Sequence, residues 1–317
     1  MKIIFLGTPG FAVPSLDILL QHGYDIPAVI TAPDKPSGRG QKLSISEVKE
    51  YALSKGLKVL QPVKMNDPDF LSEVRALNAD LQIVVAFRMM PEALWSMPPL
   101  GTFNLHGSLL PQYRGAAPIN RAVMNGEKVT GVTTFFLKHE IDTGNIIYRS
   151  SLEIGPNETA GELHDRMKML GAELVLKTVQ DIENGTAKVH PQEEFVAPGE
   201  VLHPAPKIFK EDALLDFSKD VHTLHNQVRG LSPFPGAFFN LTMPDGSVSS
   251  VKVLRSEVEE AGTVLTHELL SDGKSTVKIS AANGFLKILE IQLPGKKRMK
   301  IDELLRGFRF PEAAVIS

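Results

Sequence analysis

Short apolar runs recur through residues 1–189, separated by amphipathic stretches. KIIFLG (2–7), IPAVIT (26–31), LKVLQ (57–61), LQIVVAF (81–87) and TFNLH (102–106) read as strands. Most lack polar alternation, as strands covered on both faces do. Helices are expected near 12–22, 46–55, 68–78 and 116–125. VTGVTTFFL (129–137) and NIIYRSSLEI (145–154) add two strands. A long helix should then run from about Ala160 to Asn184, with Gly185 placed to close it. Alternation of this kind predicts an α/β domain, a mostly parallel twisted sheet covered by helices.

The texture changes at His190. HPQEEFVAPGEVLHPAPK has no hydrophobic period and is rich in proline, so residues 190–206 read as an extended linker. Beyond it, SKDVHTLHNQVRG forms one helix, with Ser218 in the N-cap place. Short strands follow, divided by the turns PDG, SDG and ANG, which suggests a small β-barrel over residues 207–317.

A chain of 317 residues accommodates both domains, and its 43% hydrophobic and 22% charged content is that of an ordinary soluble protein. No apolar run approaches the roughly 20 residues that cross a bilayer. The N-terminal MKIIFLGTPG meets glycine too early for a secretory segment, so a cytoplasmic location is expected. With no cysteine, the chain can have no disulfide, thiolate zinc site or cysteine nucleophile. The net charge of −3 points to no partner, although GKKRMK gathers Lys296, Lys297 and Arg298 in one basic cluster.

Four segments carry candidate chemistry. GTPGFA (7–12) follows the first strand but lacks the G-x-G-x-x-G spacing; its amides could meet an anion or carboxyl group, or form a plain turn. In FNLHGSLLPQYRGAAPIN (103–120), Asn104 and His106 project from one face of a strand end, where α/β sheets place their ligands. An amide beside an imidazole can hold a developing oxyanion, and the imidazole can move protons. By itself such a pair is more often structural than catalytic. In HEIDTGNII (139–147), Asp142 could orient His106 if the two meet, whereas the spacing after His139 excludes a zinc-protease motif. PDKPSGRGQKL (33–43) suits neither helix nor strand. It reads as a surface loop, or as a basic loop bringing Lys35, Arg39 and Lys42 to a polyanion.

Taken together, FLGTPGFAVPSL, PDKPSGRG, NLHGSLLPQYRGAAPI, DTGNII and LHNQVRGLSPFPGAF occur in the order of the folate-dependent formyltransferase family, and the sequence resembles its methionyl-tRNA branch. The resemblance implies a Rossmann-like formyltransferase domain over 1–189 and an OB-like tRNA-binding domain over 207–317. It implies 10-formyltetrahydrofolate as formyl donor, initiator methionyl-tRNA as acceptor, and a monomer with no metal. Asn104, His106 and Asp142 match the family's catalytic set, and Ser108, Leu109, Leu110, Pro111 and Gln112 match its folate-contacting segment. By the same resemblance Phe87, Arg88 and Met89 would help to wall the pterin pocket, with Arg88 in the place of the family's usual glycine. Lys35, Arg39 and Lys42, with Lys296, Lys297 and Arg298, are the expected tRNA contacts. Phe217 stands where the family usually has tryptophan. Formyltransferases of glycinamide ribonucleotide or of nucleotide-linked amino sugars share the core chemistry. A non-catalytic RNA-binding protein would not need all three catalytic-type residues.

Overall fold

The computed structural model describes residues 1–37, 42–262, 267–311 and 315–316. The chain divides into two compact units: Met1–Pro118, Thr130–Leu152 and His164–Pro204 form the first, and Ile119–Val129, Glu153–Leu163 and Ala205–Ser317 the second. In chain order the elements are β1 (Lys2–Gly7), α1 (Val13–Gln21), β2 (Asp25–Ile30), β3 (Lys35–Ser37), β4 (Lys42–Ser44), α2 (Glu47–Ser54), β5 (Val59–Leu60) and α3 (Pro68–Ala76). Next come β6 (Leu81–Val85), α4 (Glu92–Trp95), β7 (Thr102–His106), α5 (Pro118–Met124), β8 (Val129–Phe136), β9 (Ile146–Glu153) and α6 (Ala160–Glu183).

The sheet of the first unit has the order β5-β2-β1-β6-β7-β8-β9. Its first five strands run parallel, and β8 pairs antiparallel with β7. Ile3, Ile4, Phe5 and Leu6 of β1 are buried, as are all five residues of β6, which explains their unbroken apolar runs. Helix starts follow local chemistry: Ser46 caps α2 by accepting from the Lys49 amide, and Asp67 caps α3. On α6, Gly171 lies where a Cβ would stand 2.7 Å from the Leu105 side chain, so the helix can pack closely on β7. Gly7 pairs with Val85, and Val85 with Leu105, so the carboxyl ends of β1, β6 and β7 open on one edge.

Two expectations change here. Residues 35–37 and 42–44 form a short antiparallel ladder with Pro36 opposite Leu43. A two-stranded ladder leaves alternate amides unpaired, and so has room for a proline. Arg39 lies outside the described residues, as does the side chain of Lys42. The segment expected as a linker is fastened to the first unit as far as Pro204: His190 pairs with Ile146, and the Tyr113 amide donates to the His203 carbonyl at 2.7 Å.

The second unit continues through α7 (Val221–Leu231), β10 (Ala237–Thr242), β11 (Val248–Glu260), β12 (Leu269–Ser271), β13 (Val277–Ala281), β14 (Gly284–Gln292), β15 (Met299–Lys300), α8 (Ile301–Leu305) and β16 (Val315–Ile316). Its strands form a barrel-like antiparallel sheet in the order β12-β13-β14-β11-β10-β16, with β15 beside β14. Val221, Leu224, Val228 and Leu231 share one face of α7 and join the core with Phe217, Phe239 and Ile288. Phe217 is fully buried and packs edge-on against Phe239, filling its place as an apolar ring alone. The cap of α7 is Asp220, not Ser218. Asp220 accepts from the amides of His222 and Thr223 and from the Asn283 side chain, while Ser218 is turned into a bond with Asp216.

Candidate active site

Asn104 and His106 end β7 on the same face, and β8 lies beside them with Thr133 opposite His106. Asn104 is half-buried. His106 is only 6% exposed. Its Nε2 lies 2.9 Å from the Tyr113 carbonyl, which can only accept, so Nε2 carries the hydrogen. Nδ1 faces Asp142 Oδ2 across 3.9 Å. That separation is an electrostatic approach rather than a hydrogen bond. The hydrogen bond that holds the ring is therefore the one to the Tyr113 carbonyl, with Asp142 facing it from farther off. Asp142 instead accepts from the Gly115 amide at 3.0 Å, tying its own turn to the loop that holds His106.

The 108–112 segment is anchored by groups that the motif did not announce. Thr133 donates to the Ser108 carbonyl at 2.7 Å and accepts from the Leu110 amide at 3.1 Å. Ser108 donates to the Gln112 carbonyl. Ser108, Leu110 and Pro111 are buried, and the Leu110 side chain packs with Phe135 and Ile146. What they can offer a ligand is main chain, with half-buried Leu109 beside them. Gln112 is turned toward the 200–203 segment, donating to Glu200 and the Val201 carbonyl and accepting from the His203 amide. The Gln112 bond and the Ala197 amide hold the Glu200 carboxyl below its usual range.

Arg88 does not lie free in a pocket wall. Its guanidinium donates to the carbonyls of Pro62 and Val63 and sits 5.9 Å from the Phe87 ring centre. Met89 is 75% exposed. In the 7–12 turn the Gly10 amide meets a carboxyl group from within the chain, Glu47 at 2.5 Å. Gln192, missed because it sits in a stretch without periodicity, donates to the carbonyls of Asp142 and Gly144 and accepts from Arg114. Among the described residues no cluster of three or more His, Asp or Glu could hold a metal, and no helix is long and apolar enough to cross a membrane.

The polyanion candidates fare differently. Lys35, Lys296 and Lys297 are exposed. Arg298 is bound to Glu290, which leaves it less charge to offer a phosphate.

The formyl transferase family profile matches residues 1–179, and that of the formyl transferase C-terminal domain matches 207–309. A methionyl-tRNA formyltransferase of Bacteroides fragilis is 50% identical over 99% of this chain and 97% of its own. One from Flavobacterium johnsoniae is 49% identical over 100% of this chain and 99% of its own. Among solved structures, an N-formyltransferase from Helicobacter canadensis, in complex with folinic acid and dTDP-3-aminofucose, has a TM-score of 0.64 at 23% identity, covering 91% of this chain and 98% of that one. HypX from Aquifex aeolicus, in complex with tetrahydrofolic acid, has a TM-score of 0.63 at 20% identity, covering 97% of this chain and 47% of that one. At such identities the two structures attest the fold, whereas the full-length relatives attest descent. The chain belongs to the methionyl-tRNA formyltransferase family.

Proposed function

We propose that this enzyme transfers the formyl group of 10-formyltetrahydrofolate to the α-amine of methionyl initiator tRNA. The observation that carries the reading is the strand end of β7, where the Asn104 side chain stands on the same face as His106, with Asp142 facing the ring. The amine attacks the formyl carbon, a tetrahedral intermediate forms, and the bond to N10 breaks to give formylmethionyl-tRNA and tetrahydrofolate. The Asn104 amide donates to the oxyanion as charge develops on it. With Nε2 held by the Tyr113 carbonyl, Nδ1 is the nitrogen left to exchange a proton, and a proton there faces the Asp142 carboxylate. His106 thereby relays the proton from the attacking amine to the departing N10. No covalent enzyme intermediate is needed; holding both substrates in attack geometry lowers the barrier.

Main chain of residues 108–112, with Phe87, Arg88 and Met89, is assigned to the folate. Residues 207–317 are assigned to holding the tRNA, with Lys296 and Lys297 as phosphate contacts and Lys35, Arg39 and Lys42 near its end. The acceptor assignment rests on the relatives, whose names specify methionyl-tRNA. The reaction is placed in the cytoplasm and assigned to a monomer. Asn104→Ala tests the chemistry: turnover should fall by about 10² to 10³. Turnover near that of the unaltered enzyme would remove Asn104 from the mechanism.

A further inference from the structure

Only five non-glycine residues in the described chain have φ in the left-handed region: Asn78, Ala86, Tyr113, Asp142 and His267. Two of them belong to the candidate active site. Tyr113 supplies the carbonyl that holds His106, and Asp142 supplies the carboxylate that faces it. A side chain in that backbone region costs about 1 kcal/mol or more, so the conformation persists only where the surroundings impose it. In both cases the same stretch of chain imposes it. The Tyr113 amide donates to the His203 carbonyl at 2.7 Å. The Asp142 carbonyl accepts from Gln192 Nε2 at 2.9 Å.

Gln192 is the centre of this arrangement and is 1% exposed. Its second amide hydrogen goes to the Gly144 carbonyl at 2.8 Å, and its Oε1 accepts from Arg114 Nε at 3.0 Å and Nη2 at 2.6 Å. A glutamine amide has two hydrogens and two lone pairs, and here all four are used. Turned over, the amide would set its oxygen against two carbonyls and its hydrogens against a guanidinium. The neighbours thus dictate a single orientation. One side chain therefore grips the turn carrying Asp142 and the segment that follows Tyr113, joining the two loops whose separation sets the distance between His106 and the carboxylate.

We propose that Gln192 is a positioning residue for formyl transfer, acting through the placement of the Asp142 carboxylate; this rests on the formyl-transfer reading above. A residue that merely stabilises the fold would lower the amount of folded enzyme and leave the turnover of each folded molecule alone. A residue that places Asp142 lowers turnover in the folded enzyme, and does so only while the carboxylate is there to be placed.

The test is a cycle of four full-length proteins: unaltered, Gln192→Ala, Asp142→Asn and the double variant. Each is assayed with methionyl initiator tRNA and varied formyl donor, giving kcat and the donor KM, at a temperature where thermal melting shows it folded. Gln192→Ala should lower kcat by about 10- to 100-fold, as a displacement near 1 Å does, with the donor KM little changed. In the Asp142→Asn background the same substitution should have almost no further effect. Gln192→Glu provides a second, isosteric variant: it keeps an acceptor for Arg114 and loses both donors, so it should match Gln192→Ala in kcat. Multiplicative losses in the double variant, or an unaltered kcat in folded Gln192→Ala or Gln192→Glu, overturn the proposal. If the unaltered enzyme transfers no formyl group, the underlying reading fails, and the proposal with it.

Discussion

His106 meets groups of two kinds, and the difference matters to what it can do. A carbonyl at Nε2 fixes the tautomer and the plane of the ring, whereas the carboxylate beyond Nδ1, 3.9 Å away, is too distant to hydrogen-bond it. The ring is thus held through Nε2, and the proton transfer proposed for His106 falls to Nδ1. Thr133 does comparable work for the neighbouring loop, its hydroxyl serving one backbone carbonyl and one backbone amide, both buried. Thr133→Val keeps the shape and removes both bonds. Stranding those groups should cost about 2 kcal/mol in denaturant unfolding and raise the donor KM more than it lowers kcat. Unchanged stability would show that water or a shifted main chain replaces the hydroxyl. At this scale the site was half legible in the sequence. Asn104, His106 and Asp142 declare themselves by residue type and by their place after strands. Thr133, Tyr113 and Gln192 act through hydrogen bonds to or from main chain across 7 to 50 positions, which no local pattern records.

At the level of elements, most strands and helices of both units were readable from apolar periodicity and capping residues, as Ser46 and Asp67 illustrate. Where reading failed, a distant partner decided. Asp220 rather than Ser218 starts α7 because Asn283 fastens Asp220 and also accepts from the Val221 amide. Helix α7 also carries His225, 6% exposed, between the Ser256 hydroxyl and the Pro156 carbonyl. Burial, helped by the nearby Arg229 charge, holds its pKa below the ordinary 6.5. A folded-state pKa below the unfolded value means stability complete above about 6.5 and lost progressively as the pH falls toward the folded value. The thermal midpoint should therefore drop between about pH 6.5 and 5, and His225→Gln should flatten that part of the curve. An identical acid limb in the variant would assign the loss to other groups.

For the whole molecule, the chain has two compact units and matches its relatives along the full length, and the acceptor proposed for it is a large polyanion. A net charge of −3 means that attraction must come from local clusters, of which the exposed Lys296 and Lys297 are one. Affinity for tRNA should fall by about tenfold or more between 50 and 200 mM salt, and a salt-independent affinity would remove phosphate contacts as a main contribution. The central claim, that the Asn104–His106 strand end serves formyl transfer to a methionyl-tRNA, is tested most directly by one comparison. Purified enzyme is given 10-formyltetrahydrofolate with methionyl initiator tRNA or methionyl elongator tRNA, and formylmethionine is measured over time. Formylation of the initiator, with the elongator left largely unmodified, is the predicted result. No formylation of either, with folate still bound, would contradict the account and move the acceptor to a different amine.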